Sequence, residues 1–542
     1  MSQFISTWVG VADEAHVAVA VSGDAAEAVS RLIETLVADG VASGIGAQDP
    51  TLWGPDAESG AATRMGWTAL HVSARELLEQ LDAVVDKARS EGKTHVVLAG
   101  MGGSSLGPEV ICATYGVPLI TLDSTDPDQV RAALDGDLDE TIVVVSSKSG
   151  GTLETDSLLR IFAEAFEAAG LDPRQHIVIV TDPDSPLHKA AVAAKYRAVF
   201  LADPNVGGRF SALSAFGLVP AALAGVPVAE LLDEAAAVAE SLCEDHAANP
   251  ALVLGAAIAG SDRDKLVITD EGSGLIGFGD WAEQLIAEST GKDGLGILPV
   301  VAESGAPERL ADDVIDVRLV SLTAGADAEG HQVVTGGTLG GQFLLWEYAI
   351  AVAGRVLGID PFNQPDVESA KAASLALLDA LPEPEAPDLV DDGIEARATA
   401  GLLDGVDTVE GAIAALEAQV GPRGYIAVMA YLNREGNPAL PSVRHAIAAR
   451  TGRPTTFGWG PRFLHSTGQL HKGGAPEGVF LQITGTFAGD LDIPMRPFSF
   501  AQLITAQAAG DAKVLSDLGR PVLRLNLTDA SHVARVAALL EG

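Results

Sequence analysis

The chain has 542 residues, which is long enough for about three to five domains, and 47% of its residues are hydrophobic against 20% charged. That composition is typical of a folded globular protein and excludes disorder as the main state. The formal net charge of −40 argues against DNA, RNA or an anionic membrane as the main partner, because binding to phosphate surfaces is driven by basic residues.

Two cysteines, Cys112 and Cys243, are too few for a disulfide framework or a four-cysteine zinc site. The first residues, MSQFISTWVGVADE, lack the basic start and apolar run of a signal peptide. The longest apolar runs are interrupted by Gly, Pro or charge, so no membrane span is predicted. These features predict a protein of the reducing cytoplasm.

The pattern of elements predicts an α/β fold in five segments. Residues 1–94 read as a helical segment, with helical periodicity at 25–39 and 74–89. Short apolar strands alternating with helices then predict two α/β domains built on parallel sheets, at 95–240 and 241–381. The Pro- and acid-rich stretch 382–395 is the predicted linker, and 396–542 returns to an α/β pattern.

Two glycine- and serine-rich loops, GMGGSSLGP and SSKSGGTLET, each follow a buried strand and precede a helix. A helix N-terminus presents unpaired N–H groups and partial positive charge, so it attracts phosphate. Neither loop matches a nucleotide-binding motif, which favours a phosphorylated small molecule. The candidate phosphate-binding residues are Gly103, Ser104, Ser147, Lys148, Ser149 and Thr152.

Further motifs carry a resemblance to a known family. The two loops resemble those of the sugar isomerase (SIS) domain, and DPNVGGRFSALSAFG, AESTGKDG and GIDPFNQPDVESAK resemble segments of the glucose-6-phosphate isomerase family. The layout most resembles the isomerase half of fused transaldolase–isomerase proteins. The resemblance implies two SIS-type parallel-sheet αβα sandwich domains with an additional C-terminal α/β region.

Glu288 is the candidate catalytic base. An aldose–ketose isomerase moves a proton between two carbons through an enediol, which needs one carboxylate as base and acid. Glu288 lies near the end of a helix predicted at 280–290, with Gly291 as its stop and Gln284 on the same face. By itself it would be read as a solvated helix-end glutamate. The match to the family segment assigns it the proton transfer, and assigns Gln284 to substrate contact.

Arg209 follows Gly207 and Gly208, which suit a backbone pressed against a ligand. An enediolate needs positive charge nearby, and the resemblance gives Arg209 that role, with Gly208 among the substrate-binding residues. Lys148 is equally consistent with a solvated loop lysine.

Lys371 and Gln364 are seven residues apart and would share one face if a single helix runs through both. The resemblance assigns Lys371 to ring opening and Gln364 to the substrate phosphate. Asp366 stands where the family usually has glycine.

The histidine that opens the sugar ring in the family has no counterpart at the same place in the motif order of this chain. The family has it between the glutamate and lysine segments, where this chain has only His331, in surroundings that do not match. FLHSTGQLHKGG resembles the histidine segment of some bacterial members but follows Lys371. We therefore assign the role to His465, with His471 as the alternative, and expect the C-terminal region to fold back onto the site.

The hypothesis is an isomerase interconverting glucose 6-phosphate and fructose 6-phosphate, in glycolysis and gluconeogenesis, that uses no cofactor and no metal. Alternatives are a non-catalytic SIS-type sugar-phosphate sensor, another sugar-phosphate isomerase, or an amidotransferase. The last lacks its nucleophile, because Ser2 stands where that class has an N-terminal cysteine. The expected partner is a small sugar phosphate rather than nucleic acid or membrane, and the resemblance implies a homodimer.

Overall fold

A computed structural model describes residues 4–11, 14–321, 332–380 and 385–542. They form a mixed α/β structure built on three sheets, as predicted. No helix among these residues is both long and apolar enough to cross a membrane.

The strands are, in chain order, β1 (Phe4–Val11), β2 (Glu14–Ser22), β3 (His95–Gly100), β4 (Ile120–Leu122), β5 (Thr141–Ser146), β6 (Ile177–Thr181), β7 (Ala198–Leu201), β8 (Lys265–Asp270), β9 (Leu298–Ala302), β10 (Val314–Leu319), β11 (Gln332–Gly337), β12 (Leu389–Asp391), β13 (Ile394–Ala398), β14 (Tyr425–Tyr431), β15 (Thr455–Trp459), β16 (Gly478–Gly485) and β17 (Val522–Leu527).

The helices are α1 (Asp24–Ala38), α2 (Val41–Gly46), α3 (Pro55–Ala61), α4 (Leu70–Ser73), α5 (Leu78–Ser90), α6 (Leu106–Thr114), α7 (Pro127–Leu134), α8 (Leu153–Ala168), α9 (Pro186–Ala194), α10 (Ala215–Ala224), α11 (Val228–Leu242), α12 (Pro250–Ala259), α13 (Phe278–Thr290), α14 (Leu339–Leu357), α15 (Val367–Ala380), α16 (Val409–Glu417), α17 (Val443–Thr451), α18 (Gly468–Gly473), α19 (Phe500–Asp517) and α20 (His532–Glu541).

The first sheet has the order β4-β3-β5-β6-β7, and all its strands are parallel. Its central strands are apolar and buried along almost their whole length, as expected when helices cover both faces. β3 and β5 are parallel neighbours, with Gly100 opposite Ser146. The two glycine-rich loops therefore leave the sheet side by side, at the carboxyl ends of these strands.

The second sheet has the order β1-β2-β11-β10-β8-β9. Strands β8 to β11 are parallel, and β1 and β2 join them as an antiparallel hairpin. The prediction of a wholly helical segment at 1–94 is therefore wrong at its start. The alternating valines Val17, Val19 and Val21 are fully buried, and this period-two pattern is that of a strand.

The third sheet has the order β12-β13-β17-β16-β14-β15, with the last four strands parallel. Its strands β14 to β17 lie within the C-terminal α/β region predicted at 396–542. The predicted linker at 382–395 is shorter than expected, because β12 and the start of β13 lie inside it and pair as a hairpin that extends this sheet. The prolines of that stretch all precede β12 in the sequence and leave 389–395 free to pair.

One hydrophobic cluster joins the first sheet to the second, and two further clusters join the C-terminal unit to these sheets. One joins the face of the first sheet that carries Val143 and Ile179 to Phe500 and Leu503 of α19. The other joins Val267 and Val300 of the second sheet to Phe480 and other residues of the third. The C-terminal unit therefore packs on both of the other sheets, and α19 packs along α15.

Candidate functional site

Helix α13 supplies the predicted base. It runs to Thr290 and is followed by Gly291, as predicted, and Glu288 in its last turn is 8% exposed. Gln284 lies one turn earlier on the same face, and its side-chain nitrogen is 3.3 Å from Glu288 Oε1. Gln284 therefore holds one carboxylate oxygen of Glu288 from within the same helix.

Arg209 lies on the other side of that carboxylate. Its Nη1 donates to Glu288 Oε2 at 3.1 Å and to Gln364 Oε1 at 2.9 Å. Its Nε donates to Ser289 Oγ at 2.7 Å, and Nη2 donates to the carbonyl groups of Pro361 and Asn363. Burial lowers the pKa of Arg209, and the Glu288 carboxylate opposes that shift. All five N–H donors of the guanidinium are used, so its orientation is set by the protein.

The first glycine-rich loop is pressed against this pair. A Cβ added at Gly103 would lie 1.9 Å from the carbonyl oxygen of Gly208, and one at Gly102 would lie 2.8 Å from both Gln284 Nε2 and the carbonyl oxygen of His465. Gly102 also has a φ of +56°, which side chains rarely adopt. Only glycine allows the loop to approach the segments that carry Gln284, Arg209 and His465 so closely.

The second loop lies beside the first, with Ser147 buried and Ser149 exposed. Ser147 Oγ accepts from the backbone nitrogen of Gly150 at 3.2 Å and lies 3.2 Å from Thr152 Oγ1. Lys148 is bound elsewhere in the protein: its ammonium group donates to Asp182 Oδ2 at 2.7 Å and to the carbonyl oxygen of Pro204 at 3.1 Å. The loop thus presents hydroxyl and N–H groups, while Lys148 is already paired with a carboxylate.

His465 reaches the same place from the C-terminal unit, although 177 positions separate it from Glu288. Its carbonyl oxygen accepts from Gln284 Nε2 at 2.7 Å. Its ring Nε2 lies 3.0 Å from Glu154 Oε1. The C-terminal region therefore folds back onto the residues of α13, as the motif order led us to expect.

Glu154 was missed by the sequence analysis. It lies in the first turn of α8, directly after the second glycine-rich loop, and is 6% exposed. It also accepts from Gln507 Nε2 at 2.7 Å. Burial raises the pKa of Glu154, but His465 and Lys371 outweigh it and hold that pKa below its usual value. The signal available in the sequence was a carboxylate two residues after Thr152, which resembles an ordinary helix-start acid.

Lys371 lies at the edge of this group. Its ammonium group is 2.7 Å from Glu368 Oε1 on the same helix, and its side chain is half exposed. Gln364 and Lys371 do not share a helix, because α15 begins only at Val367. Pro365 follows Gln364 and disfavours helical backbone there. Gln364 is instead held by Arg209.

Asp366, which replaces the family's usual glycine, contacts the histidine segment. Its backbone nitrogen donates to Gln469 Oε1 at 3.0 Å, and Gln469 Nε2 donates to Asp366 Oδ2 at 2.5 Å. The carboxylate of Asp366 therefore contacts a residue at the start of α18.

The two other histidines considered are placed differently. His471 is 3% exposed and packs among Tyr425, Phe463 and Phe480. Burial, with help from Lys472 and Arg520, lowers the pKa of His471 to about 3. It is part of the core of the C-terminal unit. His331 lies outside the described residues.

Comparison with known proteins identifies the family of the chain. The family model for phosphoglucose isomerase matches residues 60–264. A probable glucose-6-phosphate isomerase of Natronomonas pharaonis is 32% identical over 55% of this chain and 82% of its own length. The chain belongs to the glucose-6-phosphate isomerase family.

A second family member, the glucose-6-phosphate isomerase of Rubrobacter xylanophilus, is 31% identical over 56% of this chain and 86% of its own length. Among solved structures, a hypothetical protein of Thermus thermophilus superimposes with a TM-score of 0.53 at 24% identity, covering 65% of this chain and 96% of its own. The glucose-6-phosphate isomerase of Chlamydia trachomatis superimposes with a TM-score of 0.50, also at 24% identity, covering 57% and 74%. These two structures support the fold.

Proposed function

We propose that the chain interconverts glucose 6-phosphate and fructose 6-phosphate, a step of glycolysis and gluconeogenesis. The observation that carries this proposal lies beside the two phosphate-type loops: Arg209 pairs with Glu288, and the His465 segment contacts Gln284 of the same helix. A sugar-phosphate sensor needs the loops alone and has no use for a buried carboxylate held between a guanidinium and a glutamine. The non-catalytic alternative is therefore disfavoured.

The phosphate is proposed to bind at the loops that precede α6 and α8. Ser104, Ser147 and Thr152 supply hydroxyl groups, and the first-turn N–H groups supply further donors. Lys148 is already paired with Asp182, so its contribution is a positive field near the loop rather than a direct contact.

His465 and Glu154 are proposed to open the sugar ring, with Lys371 nearby. Ring opening moves a proton from the anomeric hydroxyl to the ring oxygen, and an imidazole can accept and return it near neutral pH. When Nε2–H donates to Glu154, the other ring nitrogen is the proton acceptor. The Glu154 carboxylate then stabilises the imidazolium that forms.

Glu288 is proposed to carry the proton between C2 and C1 of the open chain. When the carboxylate takes the proton it becomes neutral, and at the same moment negative charge develops on the enediolate. The Arg209 guanidinium, which first stabilises the Glu288 carboxylate, then stabilises the enediolate, because the enediolate is now the one anion beside it. Arg209 and Glu288 thus act as one unit.

A coupled assay for fructose 6-phosphate formation tests the proposal. The purified chain is expected to convert glucose 6-phosphate and to leave unphosphorylated glucose unchanged, because the loops hold the phosphate. Mannose 6-phosphate and other aldose phosphates, assayed in parallel, test the alternative of another sugar-phosphate isomerase. No turnover of glucose 6-phosphate at any enzyme concentration would contradict the proposal.

We further propose a cytoplasmic location. Both Cys112 and Cys243 are free thiols in the described structure, which suits a reducing compartment, and the proposed substrate is an intracellular sugar phosphate.

A further inference from the structure

A charge cluster outside the residues discussed so far lies directly behind the histidine segment. Arg462 begins the single helical turn Arg462–His465 that follows β15. Its guanidinium pairs with the carboxylate of Glu109 on α6 and, through Nη1, with Asp123 Oδ2 at 3.1 Å. The turn that carries His465 is thus tied at its first residue to the first sheet, although it belongs to the third.

Asp123, at the carboxyl end of β4, is the deepest member of this cluster, with its side chain 1% exposed. A carboxylate buried to this degree is stable only when paired, and losing one partner leaves an uncompensated charge. Asp123 and Glu109 raise the pKa of the Arg462 guanidinium, although its burial lowers it. The contact between the turn and the first sheet is therefore an ion pair of one guanidinium with two carboxylates.

The same carboxylate contacts the first glycine-rich loop. Ser105 Oγ lies 3.0 Å from Asp123 Oδ2, and Ser105 directly follows the proposed phosphate-binding pair Gly103 and Ser104. One carboxylate group therefore joins the phosphate loop to the turn of the proposed ring-opening histidine.

A second arginine provides a matched comparison within the cluster. Arg434, in the loop after β14, pairs with Glu109 Oε1 at 3.2 Å and lies 3.6 Å from Asp123 Oδ1. Its side chain is 17% exposed, against 15% for Arg462. The two arginines share both carboxylates and similar burial, but only Arg462 is covalently part of the turn that ends in His465.

We propose that Arg462 is a positioning residue for ring opening: its ion pairs with Asp123 and Glu109 fix the position of the turn that carries His465 relative to the phosphate loop. This inference rests on the proposed function. The ring of His465 contacts Glu154, and its carbonyl oxygen accepts a hydrogen bond from Gln284. A shift of the turn would disturb both contacts. A misplacement of about 1 Å can cost about a hundredfold in rate.

The test compares Arg462→Met, Arg462→Lys and Arg434→Met in the full chain. We expect Arg462→Met to lower kcat for glucose 6-phosphate by about tenfold to a hundredfold, with KM changed by less than about threefold because the phosphate loop itself is intact. The primary isotope effect with substrate deuterated at C2 should not exceed that of the parent, since ring opening precedes the transfer of that proton. Arg462→Lys should recover part of the lost kcat.

Arg434→Met is the control for loss of one arginine from the cluster, and its kcat should stay within about threefold of the parent. Equal losses of kcat in the two methionine variants would overturn the inference, as would a larger isotope effect in Arg462→Met, which would place its defect at Glu288. If Arg462→Met does not fold, the same measurements on Arg462→Lys decide. Failure of the proposed function looks different, because the parent itself would then be inactive.

Discussion

The contact between His465 and Glu154 joins two distant parts of the chain at the candidate site. The ring nitrogen and the carboxylate oxygen are 3.0 Å apart, and they come from positions 311 residues apart in the chain. His465 was identified from its neighbours in the sequence, because HSTGQ is a distinctive segment. Glu154 was not, because a glutamate in the first turn of a helix is common and needs no functional explanation.

Replacing Glu154 by glutamine tests this contact. The amide keeps a hydrogen-bonding side chain but cannot stabilise an imidazolium, so kcat for glucose 6-phosphate should fall by about tenfold to a hundredfold, within the usual range for acid–base groups. Glu308→Gln removes an equally buried carboxylate outside the site and serves as the control. A Glu154→Gln enzyme with the turnover of the control would assign Glu154 a purely structural role.

At the scale of elements, the sequence was most informative about loops whose position is determined by the strand that precedes them. The sequence predicted β3 and β5 as apolar strands of a parallel sheet, and their pairing as parallel neighbours brings the two glycine-rich loops together. Gln364 and Lys371 do not share a helix, because Pro365 disfavours helical backbone at Gln364 and α15 begins at Val367. The contact of Gln364 with Arg209 depends on the loop 360–364, which has no pattern that predicts its path.

Lys292 holds that loop. Located just after α13 and 1% exposed, it donates to the carbonyl oxygens of Asp360 and Asn363 at 2.7 and 2.6 Å. Burial, with a contribution from Arg209, lowers the pKa of Lys292 from 10.5 to about 7. The folded protein therefore binds fewer protons here than the unfolded chain between these two values, and stability from this group rises with pH across that window.

Lys292→Met should remove this pH dependence. The free energy of unfolding is measured by urea titration of both proteins at pH 6.5 and at pH 9.5. The value for the variant minus that for the parent should be more positive at pH 6.5 than at pH 9.5, because only the parent loses stability as the pH falls through this window. Lys513→Met, at an exposed lysine of α19, controls for the loss of one positive charge. A stability difference between Lys292→Met and the parent that does not change with pH, or that moves in the opposite direction, would contradict the assignment.

At the scale of the whole molecule, the three α/β units are joined by shared cores. The strands and helices of each unit follow from local apolar patterns, and the fold-back of the C-terminal unit followed from the place of the His465 motif. The position of β2 beside β11 did not, since pairing between residues some 300 positions apart leaves no local signal. Nor did the packing of Phe500 against the first sheet, because a buried phenylalanine looks the same in any core.

This shared packing predicts a single unfolding transition. Phe500 is fully buried in the cluster that joins α19 to the first sheet, and Leu540 is fully buried within the C-terminal unit's own core. Phe500→Ala should cost about 3–5 kcal/mol and Leu540→Ala about 2–5 kcal/mol. Each should shift the one transition seen by circular dichroism and by loss of activity in urea. Two separate transitions, with Leu540→Ala lowering only one, would show that the C-terminal unit folds independently.

The most direct test of the central claim is hydrogen exchange at the sugar carbons during turnover in D₂O. Glu288 is the proposed group that removes the C2 proton of glucose 6-phosphate and returns it at C1. The parent should therefore incorporate solvent deuterium into the sugar phosphates, followed by NMR. Glu288→Gln should still bind sugar phosphate but lose both exchange and isomerisation by about 10²–10⁴-fold, since an amide cannot accept the carbon-bound proton. Deuterium incorporation by Glu288→Gln within a few-fold of the parent would contradict the account.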